Sequence, residues 1–163
     1  MNFTSTMRHP IKNLRAAGLA VTLAVMIPAP AAMAAACSQA ADEIVVRISN
    51  LRNGAGNVVA VLYGNDPPNF LKRGTKLEKS WQPVAGQGTV DVCLTAPEPG
   101  TYAVVVYHDE NANVKFDKNW IGLPIEGYGI SNNPTIFLVP PAFEEAKFEA
   151  LAGPTVVPVE VHY

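Results

Sequence analysis

Charged residues are scarce in this chain, and basic residues are the scarcer kind. Charged side chains make up 16% of its 163 residues, with 12 Lys and Arg against 14 Asp and Glu. Three of the basic residues and none of the acidic ones lie in residues 1–34, so the remainder has a formal charge of −5 (9 − 14). Phosphate binding needs a basic face, and none is visible. The composition therefore argues against a nucleic-acid partner.

Long apolar runs and amphipathic segments of helix length are also missing, apart from one apolar run near the N-terminus. Three basic residues precede that run, residues 16–27, and small residues follow it. The run is shorter than the roughly 20 residues that span a bilayer. This three-part pattern is typical of a secretory signal peptide. We predict a signal cleaved after Ala34 (residues 1–34), a linker (35–42) and a folded domain (43–163) that is periplasmic or secreted, with no transmembrane helix in the mature chain.

Cysteine is limited to Cys37 and Cys93. In an oxidising compartment such a pair favours a disulfide, here between the N-terminal segment and a strand near the middle of the chain. Two alternatives stay open. Cys37 follows a run of small residues, so it is also a candidate for the lipid-bearing first residue of a lipoprotein. Otherwise Cys93 is a buried free thiol and Cys37 is inert.

Short apolar segments separated by turn-forming residues predict strands through most of the chain. The segment 101–108 is apolar on both faces, so we expect it in the middle of a sheet. Residues 64–80 and 120–133 read as loops, and 142–146 as one helical turn. About seven short strands without a long helix predict an all-β fold, an antiparallel β-sandwich with long loops at one end. The predicted strands are 43–49, 58–63, 81–84, 89–94, 101–108 and a final strand at 156–161, which Pro158 marks as an edge strand or a bulge.

The strand at 101–108 leads into a polar loop with regularly spaced oxygen-bearing side chains. Asp109, Asn111, Asn113 and Asp117 occupy positions 1, 3, 5 and 9 of a pattern resembling an EF-hand calcium loop. Calcium is a hard cation that takes six to eight oxygen ligands, and side chains at alternate positions converge on one centre as the backbone curls around it. The spacing predicts a calcium site.

Two residues depart from that pattern. Val114 stands where the sharp turn normally needs glycine, and a β-branched residue suits a positive φ poorly. Trp120 stands where a bidentate glutamate is usual, so Glu110 or Glu126 is a candidate for the missing carboxylate. Under the alternative, these asparagines and aspartates hydrogen-bond to the backbone and brace a long hairpin loop.

Other residues around the loop suggest weaker hypotheses. His108 and His162 end two strands and, with Asp109, are candidate zinc ligands if those strands are neighbours. A metal-assisted hydrolase would use His108, Asp109 and Glu126, whereas no serine sits in a recognisable nucleophile turn. Aromatic and polar residues also form a candidate ligand surface, although aromatic loop residues often close the end of a core. That surface comprises Trp120, Glu126, Tyr128, Asn132 and Asn133.

Three motifs in order carry a resemblance to a known family. They are Pro-Gly-Thr-Tyr-Ala-Val-Val-Val-Tyr-His-Asp-Glu-Asn-Ala-Asn-Val-Lys-Phe-Asp, Ile-Gly-Leu-Pro-Ile-Glu-Gly-Tyr-Gly-Ile-Ser-Asn-Asn and Pro-Pro-Ala-Phe-Glu-Glu-Ala. Over residues 43–161 the chain resembles the DUF2141 family, exported bacterial proteins of uncharacterised function. Family members usually carry glycine where Ala112 and Val114 stand here. The resemblance implies a fold and a compartment, and it implies no reaction.

The corner that leads into the central strand is also similar to transthyretin-like and carboxypeptidase-regulatory sandwiches. Enzymes among the transthyretin relatives carry a C-terminal Tyr-Arg-Gly-Ser, whereas this chain ends Val-Glu-Val-His-Tyr. We therefore expect a non-enzymatic binding or accessory module of the cell envelope that uses the loop end, residues 108–133. Its partner is a small ligand or an envelope protein. A calcium-stabilised domain, a metal-assisted hydrolase and a structural protein tethered by lipid at Cys37 are the alternatives.

Overall fold

The computed structural model describes Met1 and residues 37–86, 88–135 and 139–163. The predicted signal peptide lies outside the described residues apart from Met1. Eight strands, a short 3-10 helix and one helical turn make up the regular structure of the described ranges. The strands are β1 (Glu43–Ser49), β2 (Asn57–Gly64), β3 (Lys76–Pro83), β4 (Val90–Thr95), β5 (Gly100–Asp109), β6 (Gly127–Ile130), β7 (Phe148–Ala150) and β8 (Thr155–Glu160); the 3-10 helix is Pro67–Asn69 and the helical turn, α1, is Phe143–Ala146.

The strands form two sheets, so the predicted β-sandwich is confirmed. One sheet has the order β4-β1-β8, and the other has β3-β2-β5-β6 with β7 also paired to β5. Pairing is antiparallel except between β1 and β8, which run parallel. Alternate residues of β1, β2, β4, β5 and β8 face one another to form the main core, among them Ile44, Val46, Leu62, Val104 and Val159.

The central position predicted for residues 101–108 is also confirmed, since β5 lies between β2 on one side and β6 and β7 on the other. Its even-numbered side chains from Tyr102 to Val106 enter the main core. On the opposite face, Ala103 packs near Phe143 of α1. Tyr107 packs with Val59 and Val61 of β2. The two central strands of this sheet, β2 and β5, are therefore buried on both faces, which explains why apolar residues lie on both faces of each strand.

Three strands differ from the prediction: one is longer than predicted, and two were not predicted. The edge strand β3 begins at Lys76 rather than near Trp81, and the three-residue β7 was not predicted. Residues 127–130 form β6 rather than irregular loop. The glycines that suggested a loop serve close packing instead, because a Cβ on Gly129 would lie 2.3 Å from the backbone oxygen of Glu160.

The N-terminal segment is held to the sandwich by a disulfide and a buried carboxylate. Cys37 is bonded to Cys93 of β4, with a Cα–Cα distance of 5.6 Å, so the disulfide is the cysteine state that the structure contains. The Glu43 carboxylate accepts hydrogen bonds from the backbone N–H groups of Ser38 and Gln39 at 3.1 and 2.5 Å. None of the helices in the described ranges is long and apolar enough to cross a membrane.

Candidate functional site

The last two residues of β5 point to opposite faces of the sheet, because side chains alternate along a strand. The ring of His108 is fully buried. Its Nε2 donates to the backbone oxygen of Ala55 at 2.8 Å, and its Nδ1 shares a hydrogen bond of 2.6 Å with the Tyr163 hydroxyl. Asp109 instead bonds to the polar loop on the other face. The structure therefore does not bring His108 and Asp109 together as zinc ligands.

His162 lies beside Tyr128 through the backbone, where the two residues exchange N–H···O bonds of 2.9 Å. A metal centre needs at least three ligand side chains close together. Among the described residues, the one group of three Cys, His, Asp or Glu side chains with ligand atoms within 4.8 Å of one another is Cys37, Glu43 and Cys93. Both thiols of that group are consumed by the disulfide. The described ranges therefore contain no assembled centre for a metal-assisted hydrolase that uses His108, Asp109 and Glu126.

The Asp109 carboxylate organises the start of the polar loop. Its Oδ1 accepts the N–H of Asn113 at 3.0 Å, and its Oδ2 accepts the N–H of Val114 at 2.6 Å. These bonds curl the backbone, so that Ala112 and Val114 have φ values of 57° and 59°. These are the positions at which glycine was expected. Val114 therefore adopts the left-handed conformation that the calcium-loop pattern requires. A β-branched side chain is poorly suited to that conformation.

The two loop asparagines converge on Asp117. Both side-chain NH2 groups, from Asn111 and Asn113, donate to Asp117 Oδ2 at 2.8 Å. Their Oδ1 atoms accept backbone N–H groups two residues further on, those of Asn113 at 3.1 Å and Lys115 at 2.7 Å. The local hydrogen bonds of a braced hairpin loop are thus present. The same bonds gather four oxygen-bearing side chains within one loop.

Residues 117–126 form an excursion that leaves the loop and returns to it. Lys118 and Pro124 pair across its base, and the N–H of Ile125 donates to the backbone oxygen of Asp117 at 3.1 Å. Trp120 lies in the excursion with 94% of its surface exposed. The returning segment places Glu126 beside Asp117, whose N–H donates to Glu126 Oε2 at 3.0 Å. The carboxylate that accompanies the loop is therefore Glu126, nine residues beyond Asp117 in sequence.

Glu110 pairs with a cation outside the polar loop. Its carboxylate forms a salt bridge with Arg52, in which Arg52 Nε donates to Oε1 at 2.8 Å, and it also accepts from the amide of Asn53. The hydrogen bond from Arg52 lowers the pKa of Glu110 below its ordinary value. Of the two acidic residues proposed from the sequence to complete the loop, Glu110 is neutralised by its own cation.

The pKa of Glu126 shifts in the opposite direction from that of Glu110. Its side chain is 5% exposed, and burial raises its pKa, with the negative charges of Asp109 and Asp117 adding to the effect. Burial and the same carboxylates raise the pKa of Tyr107 to about 12. The carboxylates of Asp109, Asp117 and Glu126 are therefore close enough to disfavour one another's charged form.

An apolar cavity lies on the same outer face of the five-stranded sheet. Its volume is about 500 Å³, within the range of small-molecule pockets. The floor is formed by side chains of β2 and β5, and the walls by the loop, the excursion and β6. Principal lining residues are Val61, Val105, Tyr107, Phe116, Leu123 and Tyr128.

The predicted ligand surface is divided by the structure. Tyr128 lines the cavity, whereas Trp120 lies outside it in solvent. Asn132 and Asn133 brace the fold, since Asn132 donates to the backbone oxygen of Lys147 at 2.7 Å and Asn133 accepts the N–H of Glu160 at 2.8 Å. Sequence reasoning missed most of the lining. The available signal was that β2 is apolar on both faces, which requires a covering layer.

Comparison with known proteins gives one family match. The family named DUF2141, described as an uncharacterized protein conserved in bacteria, matches residues 46–157, which is more than half of the chain. No curated protein and no solved structure matches the chain.

Proposed function

The chain belongs to the DUF2141 family, and on the geometry of its own cavity we propose that it is an exported, non-enzymatic binding module for a small apolar ligand. The observation that carries this proposal is the cavity of about 500 Å³ on the outer face of the five-stranded sheet. Its lining is mostly aliphatic and aromatic. A pocket of this size and lining favours an apolar molecule, with few polar groups to orient it.

The polar groups at the cavity indicate what such a ligand carries. Lys118 lines the cavity, and its Nζ lies 5.7 Å from the centre of the Phe116 ring, while Tyr63, Tyr107 and Tyr128 contribute aromatic rings. An apolar body with one anionic or polar end matches this lining, because rings pack against apolar surface and the ammonium group attracts a negative charge.

Export is part of the same proposal. The N-terminal pattern of basic, apolar and small residues supports it. The Cys37–Cys93 disulfide supports it as well, since disulfides persist in oxidising compartments. A lipid tether at Cys37 would use the same sulfur, so the mass of the mature N-terminal peptide distinguishes a disulfide from a diacylglyceryl thioether.

Binding of the fluorescent apolar anion anilinonaphthalenesulfonate, measured by equilibrium dialysis, tests the cavity. We expect saturable binding by the wild-type protein and its loss in Val105→Trp, which fills the cavity floor. Val156→Trp is the matched control, because Val156 lies on the other sheet and is 48% exposed. Equal binding by both variants would remove the cavity as the binding site. Thermal unfolding of each variant verifies that the sandwich is intact.

A further inference from the structure

One oxygen atom of Glu126 has no partner although it is buried. Glu126 is 5% exposed. Among the described residues, Glu126 Oε1 is the one buried side-chain oxygen or nitrogen atom that has no hydrogen-bond partner. Leaving a charged oxygen unpaired in the interior costs free energy, so such an atom requires an explanation. The other carboxylate oxygen accepts the N–H of Asp117, which fixes Oε1 beside the polar loop.

Two of the nearby cations, Arg52 and Lys79, are used by other groups. Arg52 pairs with Glu110. Lys79 Nζ donates to the backbone oxygen of Val114 at 2.7 Å and lies 5.5 Å from the centre of the Tyr107 ring. In the described ranges no salt bridge reaches Asp109, Asp117 or Glu126. Three carboxylates therefore share this side of the sheet without a paired side-chain cation.

We propose that Asp109, Asp117 and Glu126, together with the side-chain amide oxygens of Asn111 and Asn113, bind a calcium ion. Calcium accepts carboxylate and amide oxygens in flexible geometry and completes its shell with water. Each asparagine Oδ1 already holds one backbone N–H, and a carbonyl oxygen has a second lone pair for a metal. Glu126 supplies the carboxylate that the sequence spacing places at Trp120.

Binding also requires a defined movement. The oxygens of the three carboxylates do not all lie within 4.8 Å of one another in the described structure. Asp117 Oδ2 is held by the NH2 groups of Asn111 and Asn113 at 2.8 Å. An ion between the carboxylates replaces these donors and draws the 117–126 excursion toward Asp109. The site is independent of the apolar cavity, which holds none of its ligands.

Isothermal titration calorimetry with calcium chloride, on purified protein first treated with a chelator, tests the site. The titration extends to about tenfold above the roughly millimolar dissociation constants of the weaker extracellular calcium modules. We expect one calcium ion per wild-type chain. Glu126→Gln should weaken calcium binding by about tenfold or more, because it removes the buried charge and keeps the acceptor for the Asp117 N–H.

Glu110→Gln is the matched control, since it removes a carboxylate of the same loop that Arg52 already neutralises, and we expect a far smaller change in its Kd. Thermal unfolding in chelator separates lost binding from lost folding, and there Glu126→Gln should be at least as stable as the wild type. The proposal is overturned if the wild type gives no calcium-dependent heat or if Glu126→Gln binds calcium as tightly as the wild type. Equal affinity for magnesium would show an unselective acidic surface and would also overturn it.

Discussion

Replacing Gly56 with alanine tests whether a close approach of two backbones fixes the start of the polar loop. Gly56 has a φ of +67°, and a Cβ built on it would lie 2.0 Å from the backbone oxygen of Asp109 and 2.7 Å from the carbonyl carbon of Glu110. Both contacts are with backbone atoms of the β5 end and the loop. No side-chain rotation can relieve them, so the strands must separate or the loop must move.

The cost has two parts. A left-handed conformation costs a residue with a Cβ roughly 1–2 kcal/mol. Steric overpacking adds about 1–3 kcal/mol. Alanine returns about 0.4–1 kcal/mol, because it restricts the unfolded chain more than glycine does. We therefore expect Gly56→Ala to lower the free energy of unfolding by about 3 kcal/mol, the middle of a range of about 1–5 kcal/mol. For a domain of this size that corresponds to a fall in Tm of very roughly 10–15 °C.

Two further glycines separate these contributions. Gly74 has a φ of +85° with nothing within 4 Å of a built Cβ, so Gly74→Ala isolates the backbone conformation. Gly129→Ala isolates the overlap, because its φ is outside the left-handed range and its Cβ would meet the backbone oxygen of Glu160. Urea unfolding followed by circular dichroism measures all three. If Gly56→Ala proves no more destabilising than Gly74→Ala, the close approach at Asp109 contributes nothing and the reasoning fails.

Three other perturbations have defined outcomes. The Cys37–Cys93 disulfide closes a separation of 56 residues, so Cys93→Ala should lose about 4 kcal/mol of stability in the chain-entropy estimate, and urea midpoints equal to the wild type would contradict this. The pKa of Tyr107 is raised to about 12, above its ordinary value of 10.0, so the stability that its neutral form contributes is complete below pH 10 and lost as pH rises through about 12. Burial also raises the pKa of Tyr63 and Tyr163, so absorbance of tyrosinate should show several late-titrating phenols, of which the last disappears in Tyr107→Phe. Persistence of that last phenol would refute the assignment. Phe143 is 2% exposed and meets the Phe70 ring edge-on at 5.6 Å, so Phe143→Ala should cost about 3–5 kcal/mol by the same urea assay, whereas a loss below about 1 kcal/mol would show that α1 is not part of the core.

Much of the fold follows from local patterns. The uncharged strand at residues 101–108 predicted a central position, and β5 occupies it. Pro158 predicted an edge strand or a bulge, and β8 lies at the edge of its sheet. The prediction was wrong at residues 127–130, because Gly127 and Gly129 read as loop residues while their missing side chains admit the C-terminal segment against β6. Composition alone does not distinguish glycine in a turn from glycine at a close contact.

The candidate site also combines features that local patterns predicted with features that they did not. The spacing of Asp109, Asn111, Asn113 and Asp117 identified the polar loop, whereas the positive φ of 59° at Val114 was not expected from a β-branched residue. Which acidic residue accompanies the loop was not predictable from spacing. It depends on Arg52, far away in sequence, which pairs with Glu110.

The sequence by itself determined a sandwich strand that ends in an oxygen-rich loop, because strand alternation and turn chemistry act between near neighbours. Only the tertiary structure decided that the 117–126 excursion returns Glu126 to Asp117 and that β2 and β5 form the floor of an apolar cavity. Both features depend on contacts between residues that are far apart in sequence. The turns and loops between them have conformations that the sequence pattern does not determine. Such contacts form when hydrophobic burial and hydrogen bonding over the whole domain select one path, so no local pattern encodes them.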